Sequence, residues 1–598
     1  MKKWKENQSY YLRRAFIFLF AVAIVLGVIG LYQYYESRIE KPWQMVTAIA
    51  FGTFKLFFFA PTLSPDADYS PFYEVAKWLA PLLSSALVLS WLNVFLLHLK
   101  NLLAYRFSTK MVIIGYQKET LVLLRKIKAL TKKKRVYVYH DTAIKAQDKE
   151  EVEKLGYPFA TIDFTKAPYL EKISKIAEAS INNCETIIFM SDDLKNYESF
   201  AHLIPLLKPK QRIRVVVRMK SYALRDMLEK MISRLRENQP SLSLVDVTFY
   251  DEDQLYVDRI MNNEEDIQSH IATQKTGVWE MKAPHFVVVG YDSFVKSFLL
   301  RVANDFTISL KEPIRVTMMG RGFKREIDEL LADYPELDQA LDIRDVNVNP
   351  AGRDFLQALQ ELKHITRFLI VDEDPMMALE IIERIQRVFP RPAIYFKNNT
   401  SVSFAPLFDK SGGDIRAFGT LKEIMDPRYI INQELDIKAR NFNDYYNKTA
   451  EEFGNPPGAP WDQISEVKKS SSRNSAAHSR VKQEILRHYF QWDDERIKKW
   501  LNERKKELKE MVEVSSGESL KVGLTAYLET YEIINFLAQL EHLRWCRFYY
   551  SLGFTYGETK DEMRKTHPCL VEDWDRIIGD LFFQCHPIYD VIAVLSTF

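Results

Sequence analysis

Cysteine is scarce in this chain. It has four in 598 residues, Cys184, Cys546, Cys569 and Cys585, with no CxxC pair and no spacing of a secreted disulfide framework. Small disulfide-built scaffolds are excluded, and free thiols in a reducing compartment are expected. An excess of one charge is also missing. A net charge of +2 with 27% charged residues excludes a strongly basic nucleic-acid binder, so no nucleic-acid partner is expected. No GxSxG, P-loop or HExxH occurs, and the chain reads as a non-enzyme with no catalytic residues. No metal site is expected either. His542, Cys546, His567 and Cys569 lie within 28 residues, but the His-x3-Cys pair has no second pair at finger-like spacing.

Long uncharged runs are equally rare, and the two that occur are informative. Ala15–Tyr35 has no charge over 21 residues and Trp78–Leu97 has none over 20. At about 1.5 Å per residue, each spans a hydrocarbon layer of about 30 Å. Residues 1–14 carry five bases against one acid, and the second run exits into Lys100, Arg106 and Lys110. Positive charge on the inner side predicts both termini in the cytoplasm. The predicted organisation is a basic N-terminus 1–14, a first span 15–36, an external loop 37–77 and a second span 78–99. Within the loop, 43–59 is apolar except for Lys55 and reads as a re-entrant or interfacial helix rather than a third span.

After Lys110 the pattern changes to short β-branched runs alternating with amphipathic stretches. Strands are expected at 111–115, 136–139, 158–163, 185–190 and 212–218, then again at 285–290, 314–319, 341–348, 368–371 and 393–396. Such alternation predicts parallel sheets covered by helices on both faces. The pair VIIGY (112–116) and VVVGY (287–291) is an internal repeat that points to domain duplication. The units are placed at 105–270 and 280–435.

Two spans followed by tandem units of this kind resemble ligand-gated potassium channels with RCK (regulator of potassium conductance, TrkA-N-like) domains. The segment TIDFTKAPYLEKISKIAEASINNCETIIFMSDDLKNYESF (161–200), with Asp163 and Asn196, is similar to the RCK sequence around its third and fourth strands. The resemblance implies Rossmann-like domains, a homotetramer beneath a pore and gating by a cytosolic ligand. The dinucleotide fingerprint is degenerate, since only its first glycine survives, as Gly115 and Gly290. Asp292 places a carboxylate where a phosphate belongs. Asp141 is either a ribose-binding acid or a turn residue. Scaffolding and oligomerisation are expected of these units, rather than nucleotide binding in the usual cleft.

The stretch TAIAFGTFKLFFFAPT (47–62) resembles a potassium filter at Ala48–Gly52, yet alanines stand at the threonine and first-glycine positions. A filter needs rings of backbone carbonyls, so selectivity is not expected. Thr47, Gly52, Ser64, Asp66 and Asp68 are the polar candidates for a pore.

The C-terminal 440–598 holds EHLRW (541–545), GFTYG (553–557) and KTHPCLVEDW (565–574). Leu537, Leu540, Glu541, Arg544 and Phe548 share one helical face, so a carboxylate and a guanidinium lie on an apolar stripe. They must pair with each other or with a ligand. Upstream, Gly454–Pro460 is turn chemistry, and Lys468–Arg480 reads as a structured turn with helix caps. The motifs resemble the RyR repeat domain, named after ryanodine receptors and also found in bacteria. Phe554 departs from its tryptophan, and Glu572-Asp573 from its Val-Pro. A mainly helical ligand sensor is implied. Its aromatic and basic residues suit a planar anion such as a nucleotide or NAD-derived messenger. The candidates are Trp461, Arg473, His478, Glu541, His542, Arg544, Trp545, Tyr556, Lys565, His567 and Trp574.

The combination implies an oligomeric channel or effector of the bacterial cytoplasmic membrane, gated by a small molecule in the manner of antiphage defence. The alternatives are a non-conducting, membrane-anchored sensor and one subunit of a housekeeping potassium channel or transporter.

Overall fold

A computed structural model describes residues 2–107, 110–130, 135–140, 145–161, 181, 184–261, 265–273, 277–372, 374–398, 414–454, 456, 458–515, 518–561, 563–580 and 586–597. The chain forms two compact units, 1–108 and 109–598.

The first unit is three helices, Lys2–Tyr35, Pro42–Leu56 and Pro71–Phe107. Phe16–Tyr35 has a mean hydropathy of 2.4 and is long and apolar enough to cross a membrane. Among the described residues it alone meets that test; the expected span 78–97 falls partly on side chains outside them. The basic N-terminus is continuous with this first helix. The expected 43–59 helix runs over 42–56, because Pro42 fits the first helical position with its fixed φ and missing donor.

Small residues let these helices meet. A Cβ on Gly30 would lie 2.6 Å from the backbone N of Tyr73, and one on Gly52 would lie 2.7 Å from Leu31 Cδ1. Tyr73 is fully buried, and its hydroxyl accepts from the N–H groups of Thr62 (3.0 Å) and Leu63 (3.2 Å), pinning the loop. The outward faces carry exposed apolar side chains, including Phe18, Trp43, Phe54, Trp78 and Leu82.

The second unit contains two parallel six-stranded sheets. The first comprises β1 Lys110–Ile114, β2 Arg135–His140, β3 Phe159–Thr161, β4 Cys184–Phe189, β5 Ile213–Arg218 and β6 Val245–Tyr250. Its spatial order is β3-β2-β1-β4-β5-β6. The second comprises β7 His285–Val289, β8 Ile314–Gly320, β9 Leu341–Asn347, β10 Arg367–Ile370, β11 Ala393–Lys397 and β12 Asp414–Phe418. Its order, β12-β11-β10-β7-β8-β9, is the same topology read from the other edge. Both are the doubly wound Rossmann arrangement, with a switch point between the first and fourth strands. The central strands β7 and β10 are buried throughout, as a sheet covered on both faces requires. Each sheet gains an edge strand that the sequence did not announce. VDVTFY and DIRAF mix polar and apolar residues; in VDVTFY the polar Asp246 and Thr248 are buried, while DIRAF is half-buried up to Phe418.

The remainder is mainly helical, and it corrects one expectation. Lys468–Arg480 is no turn but the interior of a 25-residue helix, Glu466–Phe490, capped by the Ser465 hydroxyl, which accepts from Lys468 N–H. Its polar run misled because Lys469, Asn474, Ser475, His478, Ser479 and Lys482 are buried. Helices Asp494–Glu513, Glu518–Thr530, Glu532–Tyr550 and Pro587–Leu595 complete the layer.

Candidate functional site

Each switch point is bordered by a glycine turn. Gly115 has φ +95° and Gly290 φ +93°. A Cβ at Gly115 would lie 2.6 Å from Ser191 N, and one at Gly290 would lie 1.9 Å from Val371 O. Each glycine therefore supplies a left-handed turn pressed against the neighbouring strand end. In the second unit Asp292 caps the helix Ser293–Asp305, accepting from Phe294 N–H (2.9 Å) and Val295 N–H (3.3 Å), and pairs with Lys397. A fixed carboxylate thus takes the anion seat at this helix N-terminus. In the first unit the Asn196 side chain holds the end of β4, accepting from Ser191 N–H (2.9 Å) and donating to the carbonyls of Ser191 and Arg218 (both 2.8 Å). Asp141 and Asp163 lie outside the described residues.

The C-terminal candidates separate into three groups. The first is a buried charge hub. Glu541 Oε1 accepts from Arg544 at 2.8 and 3.1 Å, and Oε2 accepts from Lys482 and from His478 Nδ1, both at 2.9 Å. All four side chains are at most 2% exposed. Burial alone would push the Glu541 carboxyl up; Arg544, Lys482 and His478 hold it well below the ordinary carboxylate range. The second nitrogen of His478 lies 2.9 Å from the Thr307 carbonyl, tying this hub to the second α/β unit. Lys482, its fourth member, lies just beyond the polar run 468–480, and a lysine carries no burial signal in the sequence.

The second group is an aromatic cluster of His542, Trp545, His567 and Trp574, with ring centres 5.0–5.9 Å apart in successive pairs. Trp574 Nε1 donates to Asn535 at 2.8 Å. His542 faces Asp590 through Nδ1 (3.0 Å) and the Val571 carbonyl through Nε2 (2.9 Å). His586, also absent from the sequence reading, packs 5.3 Å from Trp545. Burial, with His586 and Lys560 adding to it, lowers the His567 pKa to about 4.

The third group borders a cavity of about 680 Å³. Its walls come from the first α/β unit (Tyr222, Arg225, Glu229, Asp251), the second (Lys296, Arg301, Tyr334) and the helical module (Glu466, Arg473, Phe548). Arg473 is held bidentately by Asp436 at 2.7 and 2.9 Å and also pairs with Glu466. Trp461 stands behind it, 6.0 Å from the guanidinium carbon. Of the cationic wall residues, Arg301 pairs with Asp258 (2.9 Å) and Lys296 with Asp333 (2.6 Å). Burial, then the Glu466 charge, pushes Glu229 up to about 7, and burial pushes Asp251 to about 6.

The remaining candidates stand apart. Tyr556 is exposed on the short ladder Thr555–Tyr556/Thr566–His567, and Lys565 donates to the Leu552 carbonyl at 2.7 Å. In the first unit Gly52 is a buried packing residue, Thr47 bonds back to the Trp43 carbonyl (3.0 Å), and Ser64, Asp66 and Asp68 lie exposed in the loop.

No family model matches the chain, and no curated protein does. Among solved structures it is similar to the GsuK channel bound to NAD, at 13% identity and TM-score 0.35, covering 72% of this chain and 84% of that one. A second GsuK channel structure matches at 14% identity and TM-score 0.35, covering 71% and 98%. A dipicolinate synthase from Bacillus halodurans matches at 12% identity and TM-score 0.20, covering 55% and 93%.

Proposed function

We propose that the chain is a membrane-anchored effector of ion-channel type, self-assembled and gated by a small nucleotide-type molecule. The cavity of about 680 Å³ carries this reading, because its walls belong to both α/β units and to the helical module at once. An occupant that prefers one arrangement of those three bodies shifts their equilibrium, which is what a gating ligand must do. Tyr222 and Tyr334 offer faces for a base, and Glu229 and Asp251 accept from exocyclic amino groups. Lys220 and Lys296, each partly exposed and ion-paired to a carboxylate, meet phosphate at the mouth. Arg473 is the member of the RyR-like candidate set that reaches this cavity.

The helical first unit is the effector. Its outward faces are apolar and its small residues are spent on helix contacts, the reverse of a water-facing bundle. Only residues 108–109 separate its last helix from β1. The degenerate filter makes potassium selectivity unexpected. Bacterial antiphage defence is the biological setting that the sequence resemblance implies, and phage challenge of cells with and without the gene tests it.

The experiment is ion flux from liposomes holding the purified full chain, with a panel of nucleotides and NAD-derived compounds, beside thermal-shift measurements on the same protein. Ligand-dependent flux that Ala223→Trp abolishes is expected, because a tryptophan at that exposed wall position fills the cavity. Potassium-selective flux would favour a housekeeping channel. Tight binding without flux would leave a non-conducting anchored sensor.

A further inference from the structure

The C-terminal helix brings two ligand-type side chains onto the buried face of the helix Glu532–Tyr550. His586 and Asp590 are four residues apart, at the start and in the first turn of the helix Pro587–Leu595, and so project from one side of it. Asp590 is 5% exposed and His542 is 1% exposed. One donor atom from each of His542, His586 and Asp590 lies within 4.8 Å of the other two. His542 Nδ1 and Asp590 Oδ2 are 3.0 Å apart, a separation that two ligands of one ion adopt.

The surroundings match a metal site in a second respect. The far nitrogen of His542, Nε2, sits 2.9 Å from the Val571 carbonyl. A histidine that ligates through one nitrogen and donates the other N–H to a backbone carbonyl has its tautomer and ring orientation set for coordination. His586 Nδ1 is buried and has no hydrogen-bond partner among the described residues, an arrangement that costs free energy unless something fills it. The Cys546 sulfur lies 3.6 Å from Nε2 of His542, on the edge of the ring away from Asp590. It therefore stands outside the donor set.

We infer that His542, His586 and Asp590 form a three-ligand site for a divalent transition metal of the zinc class. Two imidazoles and one carboxylate suit zinc and its neighbours, whereas calcium and magnesium prefer all-oxygen shells. The site ties the last helix to the helix bearing Glu541 and Arg544, so the metal acts as a staple on the sensor module. Three protein ligands leave one position for water or another small donor.

The test uses the full chain in detergent. Metal content is measured after purification, and cobalt(II) is then titrated into chelator-stripped protein while visible absorption is followed. Expected are about one equivalent of metal per chain and cobalt d–d bands between roughly 500 and 650 nm, as for a low-coordinate nitrogen–oxygen site. His586→Ala and Asp590→Asn should each weaken cobalt binding by about 100-fold or more. Cys546→Ser should leave it within about threefold of the parent chain. His586 lies at the helix end and is not fully buried, so its alanine variant keeps a folded control even if the Asp590 variant does not fold. Absence of retained metal and of cobalt bands at micromolar metal, with a melting temperature that metal and chelator leave unchanged, overturns the inference and leaves a His542–Asp590 ion pair. Cobalt bands that form in His586→Ala with the affinity of the parent chain overturn it as well.

Discussion

Asp292 and Lys397 are ion-paired at the N-terminus of the helix Ser293–Asp305, where the second α/β unit would otherwise meet a phosphate. The carboxylate serves the helix dipole and the first-turn N–H groups, and Lys397, only 11% exposed, neutralises it. Replacing Asp292 by alanine removes a cap worth about 1 kcal/mol, a fall of about 2–4 °C in melting temperature for a unit of this size. It also frees an anion seat beside a lysine. Inorganic phosphate should then raise the melting temperature of the variant and leave the parent chain unchanged.

The Glu541 hub should be intolerant of losing its acid. Glu541→Gln leaves Lys482 and Arg544 buried without a countercharge, a loss of about 3–5 kcal/mol. The hub holds the Glu541 carboxyl below its unfolded value, so its contribution is full above about pH 4.5 and is lost as pH falls through the lower folded value. Tryptophan fluorescence of the parent chain should show an acid transition below pH 4.5 that the variant lacks.

Glu229 has the opposite sign. Its folded-state pKa is raised to about 7 from an ordinary 4.5, so the folded form keeps the proton across that window. Stability contributed here falls as pH rises from about 4.5 to about 7 and is flat above. Chemical denaturation at a series of pH values should show this decline, and Glu229→Gln should remove it.

Gly290→Ala should be among the most destabilising single changes in the second sheet. A non-glycine at φ +93° costs about 1–3 kcal/mol, and the methyl would meet the Val371 carbonyl at 1.9 Å. Gly579→Ala is the matched control, because a Cβ there meets nothing within 4 Å among the described residues. Thermal melts of the two variants should differ by several degrees.

In the helical first unit, Gly30→Ala forces a methyl against the backbone of Tyr73, and overpacking of this kind costs about 1–3 kcal/mol. Gly27→Ala should cost less, since its Cβ would meet the Thr53 side-chain methyl at 3.2 Å rather than backbone at 2.6 Å. Unfolding in detergent, followed by helical circular dichroism, ranks the two.

Ten of the twelve long strands were legible because a buried parallel strand is written as a continuous β-branched run, as in Phe286–Val289. Two of the four edge strands, Val245–Tyr250 and Asp414–Phe418, were not, because polar residues interrupt their apolar runs: Asp246 and Thr248, both buried, in the first, and Asp414 and Arg416, both half-buried, in the second. Residues 468–480 of the helix Glu466–Phe490 were hidden, while the run from Val481 reads as helical. The buried face of that first part is largely polar (Lys469, Asn474, Ser475, His478, Ser479), and His478 is satisfied by Glu541, some 60 residues away.

By itself the sequence determined the uncharged run Ala15–Tyr35, the duplicated α/β units and the need for Glu541 and Arg544 to share a neutralised environment. Those follow from local periodicity and from the cost of burying charge, which act within a few turns of chain. Only the tertiary structure decided that Lys482 and His478 complete the hub, that His586 and Asp590 meet His542, and that three modules enclose one cavity. Each of these joins side chains tens to hundreds of residues apart, and such distances close only when separately encoded elements pack against one another.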